Sequence, residues 1–204
     1  MQLTPTEQAL VDAAARDDQD EVQRLTDTID TEEATRQVRL NAPDALLNAA
    51  LWYASQGVAV FPCRPGGKAP LTSHGFKDAT TSLERVRAWW TTTPDANIGL
   101  PTGLRFDVFD VDGPEGTIAL GEVKDSGGMP EVLAWVKTPR GWHYYVAPSG
   151  HGNTTNLLPK VDHRGDGGYV VAPPSRTASG AYRWVRGFEL NTDALPVIET
   201  ERAA

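Results

Sequence analysis

Residues Phe106 to Asp112 run Phe-Asp-Val-Phe-Asp-Val-Asp, and Gly113-Pro114 follow. The run is β-branched and aromatic, so it reads as a strand that Asp-Gly-Pro terminates. In a strand, residues two apart point to the same side. Phe106, Val108, Asp110 and Asp112 therefore share one face, apolar at the start and acidic at the end, and Asp107 lies on the other. Two carboxylates side by side repel each other unless a cation lies between them. Asp110 and Asp112 fit two descriptions: ordinary strand-end and turn residues, or ligands of a hard divalent metal of the kind that serves phosphoryl and nucleotidyl transfer.

The totals narrow the field. Two hundred and four residues suit one main domain with an appendage. The single cysteine, Cys63, excludes an internal disulfide and a cysteine-based zinc site. No apolar run reaches the roughly 20 residues of a membrane span, and no signal-peptide pattern opens the chain, so a cytoplasmic location is expected. The net charge of −8 argues against nucleic-acid binding until its distribution is considered. Residues 1–42 hold 10 acids and 4 bases, whereas residues 60–180 hold 12 of each. The acidity is concentrated in an amino-terminal extension, and the centre is compatible with a local basic groove.

Residues 1–42 read as an arm of short acidic helices with little apolar surface. The main domain is placed at 43–204. Within it, a helix is expected over Asp44–Gln56, with Leu47, Leu51 and Ala54 on its apolar face and Gly57 as its stop. A second helix is capped by Ser82 and runs to Trp90, and a third, entered at Pro114, runs to about Lys124. Strands are expected at Val58–Pro62, Asn97–Leu100 and Arg105–Val111. Leu133–Lys137 and Trp142–Val146 form a hairpin across Thr138-Pro-Arg-Gly141. Further strands fall near Lys160–Asp162, Tyr169–Ala172 and Tyr182–Val185, with Gly165–Gly168 as a hairpin turn. The absence of a regular βαβ repeat indicates an α+β fold with a largely antiparallel sheet.

Four more positions could carry chemistry. His143 follows a tight turn, in which Arg140 and the backbone amides could approach a phosphate; it is either a packed strand histidine or a phosphate donor. Asp162 and Arg164 are two apart on one face, either a surface ion pair or a third metal ligand beside a phosphate-gripping cation. Asp166 is most simply a turn residue. Lys68 follows Gly66-Gly67, glycines that allow close approach of a ligand, although a solvated lysine is the ordinary case. No Gly-x-x-x-x-Gly-Lys-Ser/Thr motif is present, and no Ser-His-Asp arrangement can be defended.

Taken together, Asp110-Val-Asp112, Gly141-Trp-His143 and Val161-Asp162 resemble the ordered motifs of the bifunctional DNA primase/polymerase (Prim-Pol) family of the archaeo-eukaryotic primase superfamily. Val58-Ala-Val-Phe-Pro62, Gly66-Gly-Lys-Ala-Pro70, Asn97-Ile-Gly-Leu-Pro-Thr-Gly103 and Arg164 through Ser175 are also family-like, and the resemblance spans about residues 43–190. One departure stands out: Gly141 occupies a position where the superfamily often has serine. The resemblance implies an RRM-like catalytic sheet with a smaller α/β subdomain. It implies template-directed nucleotidyl transfer, making and extending primers on single-stranded DNA from NTPs or dNTPs. Asp110, Asp112 and Asp162 would hold two Mg²⁺ or Mn²⁺ ions, and His143, Arg164, Arg140 and Lys68 would bind the incoming nucleotide. A replicative helicase, fused or separate, and a bacterial, phage or plasmid replication setting are further implications. Two alternatives stay open: a repair or bypass polymerase that only extends primers, and a non-catalytic module that binds single strands or nucleotides. A metal-dependent nuclease is a weaker third.

Overall fold

A computed structural model describes residues 44–185 and scattered positions between 9 and 25. The chain divides into two compact units, Met1–Ala45 and Leu46–Ala204. In the first, the described positions around Gln19 to Leu25 are helical, and Arg24 pairs with Glu21 one turn away. The rest of the expected acidic arm, and the end of the main domain beyond residue 185, lie outside the described residues.

The second unit is a mixed α/β fold with several sheets and few helices. Its largest sheet has six strands in the order β11-β4-β5-β3-β7-β6. These are β3 (Asp107–Asp112), β4 (Val132–Lys137), β5 (Gly141–Val146), β6 (Thr154–Leu158), β7 (Val161–Arg164) and β11 (Arg183–Trp184). A second sheet has three strands, β1 (Phe61–Cys63), β2 (Asn97–Pro101) and β8 (Tyr169–Ala172), in the order β1-β2-β8. A ribbon of β9 (Arg176–Thr177) and β10 (Gly180–Ala181) completes the strands. All pairings within these sheets are antiparallel.

The expected helices appear close to their expected bounds. α1 covers Ala45–Ser55, α2 Leu83–Thr92 and α3 Gly113–Asp125. Ser82 caps α2 by accepting a hydrogen bond from the Arg85 amide at 3.3 Å. The buried face of α1 is Ala50, Tyr53 and Ala54, whereas Leu47 and Leu51 are only partly buried. Tyr53 sets this rotation. Its hydroxyl donates to the Pro173 carbonyl at 2.8 Å and accepts from Trp184 Nε1 at 3.0 Å, so a buried polar group is satisfied only in this orientation.

Period-2 alternation gives β3 a core on each side. Phe106 and Val108 join Ala134, Val136 and Tyr145 in the main core, which α1, α2 and the three-stranded sheet cover. Val111, on the other face, packs with Val161 and Leu120 of α3 in a smaller second core. Asp107 also lies on that face, as expected, and is fully buried. Its carboxylate accepts from the Ser149 amide (2.8 Å) and hydroxyl (2.6 Å) and lies 3.1 Å from His163 Nε2.

One expectation is corrected, and one strand is additional. Gly165–Gly168 does not close a hairpin, because β7 and β8 belong to different sheets. The turn hands the chain from one sheet to the other, and Thr102 holds it there: the Thr102 hydroxyl donates to the Gly165 carbonyl (2.7 Å) and its amide to the Gly168 carbonyl (3.0 Å). The strand β6 was not expected, since four of its five residues are exposed and no apolar alternation marks it.

Phe61 lies across Gly99, its register partner on β2; a Cβ at Gly99 would stand 2.3 Å from the Phe61 ring. Gly99→Ala must displace a fully buried ring and is expected to cost roughly 1–3 kcal/mol. Chemical denaturation checks this; an unchanged midpoint would mean that the Phe61 ring does not lie across Gly99.

Candidate active site

The site is built by register. β3 runs between β5 and β7, and Asp110 pairs with His143 on one side and Asp162 on the other. Directly opposed residues on neighbouring strands project to the same face. Asp112, two residues on, also lies on this face. The sheet thus brings together residues that lie up to 52 positions apart in the sequence.

Asp110 sits between a histidine and an arginine. His143 Nε2 lies 3.4 Å from its Oδ1, and an Arg164 guanidinium nitrogen lies 3.4 Å from its Oδ2. Burial by itself would raise the Asp110 pKa; the His143 imidazole and the charges of Arg164 and Lys68 outweigh it and lower the value to about 2. The like-charge repulsion anticipated between Asp110 and Asp112 is thus more than offset at Asp110. His143 is almost fully buried, and its Nδ1 has no hydrogen-bond partner. Its ring lies 5.7 Å from that of Tyr182.

The other carboxylates differ from Asp110. Asp112 precedes α3 but does not cap it; its carboxylate, 42 % exposed, is 3.2 Å from Arg140. Asp162 is the most committed to protein partners: Arg164 donates to its Oδ2 at 2.7 Å, and the Asn156 amide donates to its Oδ1 at 2.8 Å.

A cleft opens beside these residues as two lobes that share Lys68, Asp110, His143 and Tyr182. One lobe, of about 260 Å³, adds Arg164, Phe76, Tyr169 and the Gly167-Gly168 turn. The other, of about 230 Å³, adds Asp112, Arg140, the Gly66-Gly67 loop, Thr177 and Ser179. Asp162 lines neither of these lobes.

All of the expected cations therefore reach the cleft, including Lys68. The turn amides do not: both the Arg140 and Gly141 amides donate to Thr138 Oγ1, at 3.3 and 2.9 Å. A phosphate near this turn would meet the Arg140 side chain rather than the backbone. Gly141 is a steric requirement, because a Cβ there would stand 1.8 Å from the Val111 carbonyl oxygen. Serine does not fit in this backbone, which accounts for the departure from the usual motif.

Three residues without a sequence-based role shape the cleft. Asn97 Nδ2 donates to the Gly67 carbonyl (2.8 Å) and the Arg176 carbonyl (2.7 Å), and Asn97 Oδ1 accepts from the Arg176 amide, so one side chain ties two walls together. Ser175 Oγ accepts from the Ile98 amide at 2.8 Å and anchors the chain that leads to Tyr182. Tyr182 itself lies where the lobes meet. A buried asparagine at a strand start was the one available sequence signal; the other two depend on tertiary contacts.

Among the described residues, no three His, Cys, Asp or Glu side chains form a ready-made metal cluster. The donor chemistry of Asp110 and Asp112 nonetheless suits a hard divalent cation: two carboxylates on one strand face, one ionised down to about pH 2 and the other open to the cleft. Asp162 would join them only if Arg164 released it.

The depressed pKa of Asp110 has a measurable consequence. A carboxylate whose folded pKa lies below its unfolded value contributes stability above the unfolded value, near 4, and loses it as pH falls through about 2. In metal-free buffer, Asp110→Asn is therefore expected to cost roughly 2 kcal/mol at pH 7, with the difference shrinking at pH 3 and vanishing below 2. Melting curves of both proteins in EDTA check this; equal stability at pH 7 would show that the cations do not hold the carboxylate.

The model of the family described as bifunctional DNA primase/polymerase, N-terminal, matches residues 50–197, a span that contains every residue of the cleft. No curated protein matches the chain. With most of its length matched by the family's model, the chain belongs to the bifunctional DNA primase/polymerase (Prim-Pol) family.

Proposed function

We propose that the protein is a template-directed nucleotidyltransferase that makes primers and extends DNA on a single-stranded template. Family membership points to primase or polymerase activity in general. The observation that carries the finer reading is the register of Asp110 between His143 and Asp162, with Arg164, Arg140 and Lys68 around one cleft. Carboxylates beside cations suit a substrate with several phosphates and a metal counter-ion; simple strand binding has no use for carboxylates next to phosphates.

Asp110 and Asp112, joined by Asp162, would hold two Mg²⁺ or Mn²⁺ ions. When bound, such ions supply a more acidic primer 3′-hydroxyl and neutralise charge on the triphosphate and on the pyrophosphate that leaves. The protein's own groups position and neutralise. Arg164 would meet the phosphates from one lobe and Arg140 from the other, with Lys68 lining both. His143 presents Nε2 toward the acids while its other nitrogen is sealed in the core, so the ring has one productive orientation. Arg164 and Arg140 are tied to carboxylates in the free protein and are available to exchange them for phosphate oxygens. A bidentate arginine–phosphate contact replaces a charge-assisted bond with one of equal kind, so the exchange costs little. Positioning and electrostatics then carry the rate, as is general where the protein does little covalent work.

Purified protein given an unprimed single-stranded template, Mg²⁺ or Mn²⁺ and NTPs or dNTPs should yield labelled products on a gel. Extension of an annealed primer alone would reduce the reading to a polymerase, and binding without synthesis would remove it. Asp110→Ala and Asp112→Ala are expected to lower synthesis by at least ~100-fold, with Asp162→Asn similarly severe. Asp166→Asn should be mild, since asparagine suits the same turn. Wild-type activity in the Asp110 or Asp112 variant overturns the assignment.

A further inference from the structure

The two lobes differ in one respect that phosphate chemistry does not explain. The Arg164 lobe carries aromatic side chains, Phe76 and Tyr169, which the Arg140 lobe lacks. Tyr169 is fixed from several directions. The Phe61 ring meets its edge at 5.2 Å and 82°, and its hydroxyl donates to the Lys68 carbonyl at 3.3 Å. Phe76 lies roughly parallel to it, at 6.0 Å and 29°. The aromatic wall and the Lys68 backbone are thus one mechanical unit.

Phe76 is only half-buried and belongs to neither core cluster described above. It is nevertheless held firmly. It sits in a short 3₁₀ helix, Gly75–Asp78, whose first residue has a φ of +65° that suits glycine. Thr72 Oγ1 donates to the Gly75 carbonyl at 2.6 Å, and Asp78 accepts from the His74 amide at 2.9 Å. An aromatic ring outside the core, set by a pinned turn and lining the lobe, presents a flat apolar face to whatever enters. Lys68 and Arg164 stand in the same lobe.

We propose that this lobe receives the nucleobase of the incoming nucleotide and that Phe76, backed by Tyr169, is its stacking wall. This rests on the nucleotidyl-transfer reading above and deepens it. The lobe would hold a flat π-system at one end and phosphates at the other, which is the chemistry of a nucleotide and of no simple phosphate. Stacking reads no hydrogen-bond pattern, because every base has a π-face. The wall therefore contributes affinity without choosing among the four bases, and base choice is left to the template.

The test is equilibrium binding in Mg²⁺ without template, comparing each of the four NTPs with inorganic tripolyphosphate, and separately the binding of an oligo(dT) strand. Wild-type protein is expected to bind every NTP more tightly than tripolyphosphate. Phe76→Ala should weaken all four NTPs by similar factors, about 5- to 50-fold, and leave tripolyphosphate and oligo(dT) unchanged. Phe76→Trp should restore binding. Phe76→Leu, which keeps apolar bulk without a π-face, should show most of the loss and serves if the alanine variant does not fold. Unchanged NTP affinity in the leucine or alanine variant overturns the proposal, as does weaker oligo(dT) binding with normal NTP binding, which would assign the wall to the template strand. Wild-type protein that binds neither NTP nor tripolyphosphate would overturn the nucleotidyl-transfer reading itself, and this inference with it.

Discussion

An acidic side chain inside a folded protein stays ionised only if counter-charge is brought to it, and here a central strand does so. Asp110 loses solvent because β3 has neighbours on both sides, and the same neighbours deliver His143 and Arg164. Desolvation and compensation therefore have one origin, the position of β3 in the sheet. An edge position would relieve the first and forfeit the second. The two hydrophobic cores follow from the same strand: Phe106 and Val108 face one, Val111 the other, and the acidic end begins where the first core stops.

The cleft needs a second wall, and β2 holds it. Asn97 at one end of β2 binds the loop that carries Lys68 and the first residue of β9, Arg176. Thr102, just past the other end, binds the Gly165–Gly168 turn. Two sequence stretches that look like separate motifs, one around Thr102-Gly103 and one around Gly165-Asp-Gly-Gly168, are thus two halves of a single joint. Gly103 and Gly168 are explained by that joint, since a Cβ at Gly103 would stand 2.3 Å from the Asp166 Cα and one at Gly168 would stand 2.7 Å from Thr102 Oγ1.

Much of this was legible from local pattern. Alternation in Phe106–Asp112 gave the face shared by Asp110 and Asp112, and Thr138-Pro-Arg-Gly141 announced the hairpin that carries His143. Helix starts at Ser82 and Pro114 could be read from capping and proline chemistry. What could not be read depended on which strands meet. Nothing in Val161–Arg164 says that β7 pairs with β3, or that Tyr169–Ala172 leaves for another sheet. Likewise nothing in Gly141 shows that its departure from serine is forced by the Val111 carbonyl. The roles of Phe76 and Tyr182 were illegible for the same reason: neither a lone aromatic in a short turn nor one read as the start of a strand shows what lies across the cleft.

The passage of the chain between sheets at Gly165–Gly168 also orders events in time. The β4–β5 hairpin is local and closes quickly, whereas β3 must wait for β7, and β2 for β8, with Ile98 pairing to Ala172. Contacts of such sequence separation form late, because the loop entropy precedes the reward. During synthesis, Asp110 leaves the ribosome well before Arg164, and the wall that carries Tyr169 is completed later still. A nascent chain that ends short of Arg164 holds Asp110 with Lys68 already made but without the guanidinium that β7 brings beside it, and the wall that carries Tyr169 is completed only when β8 pairs with β2.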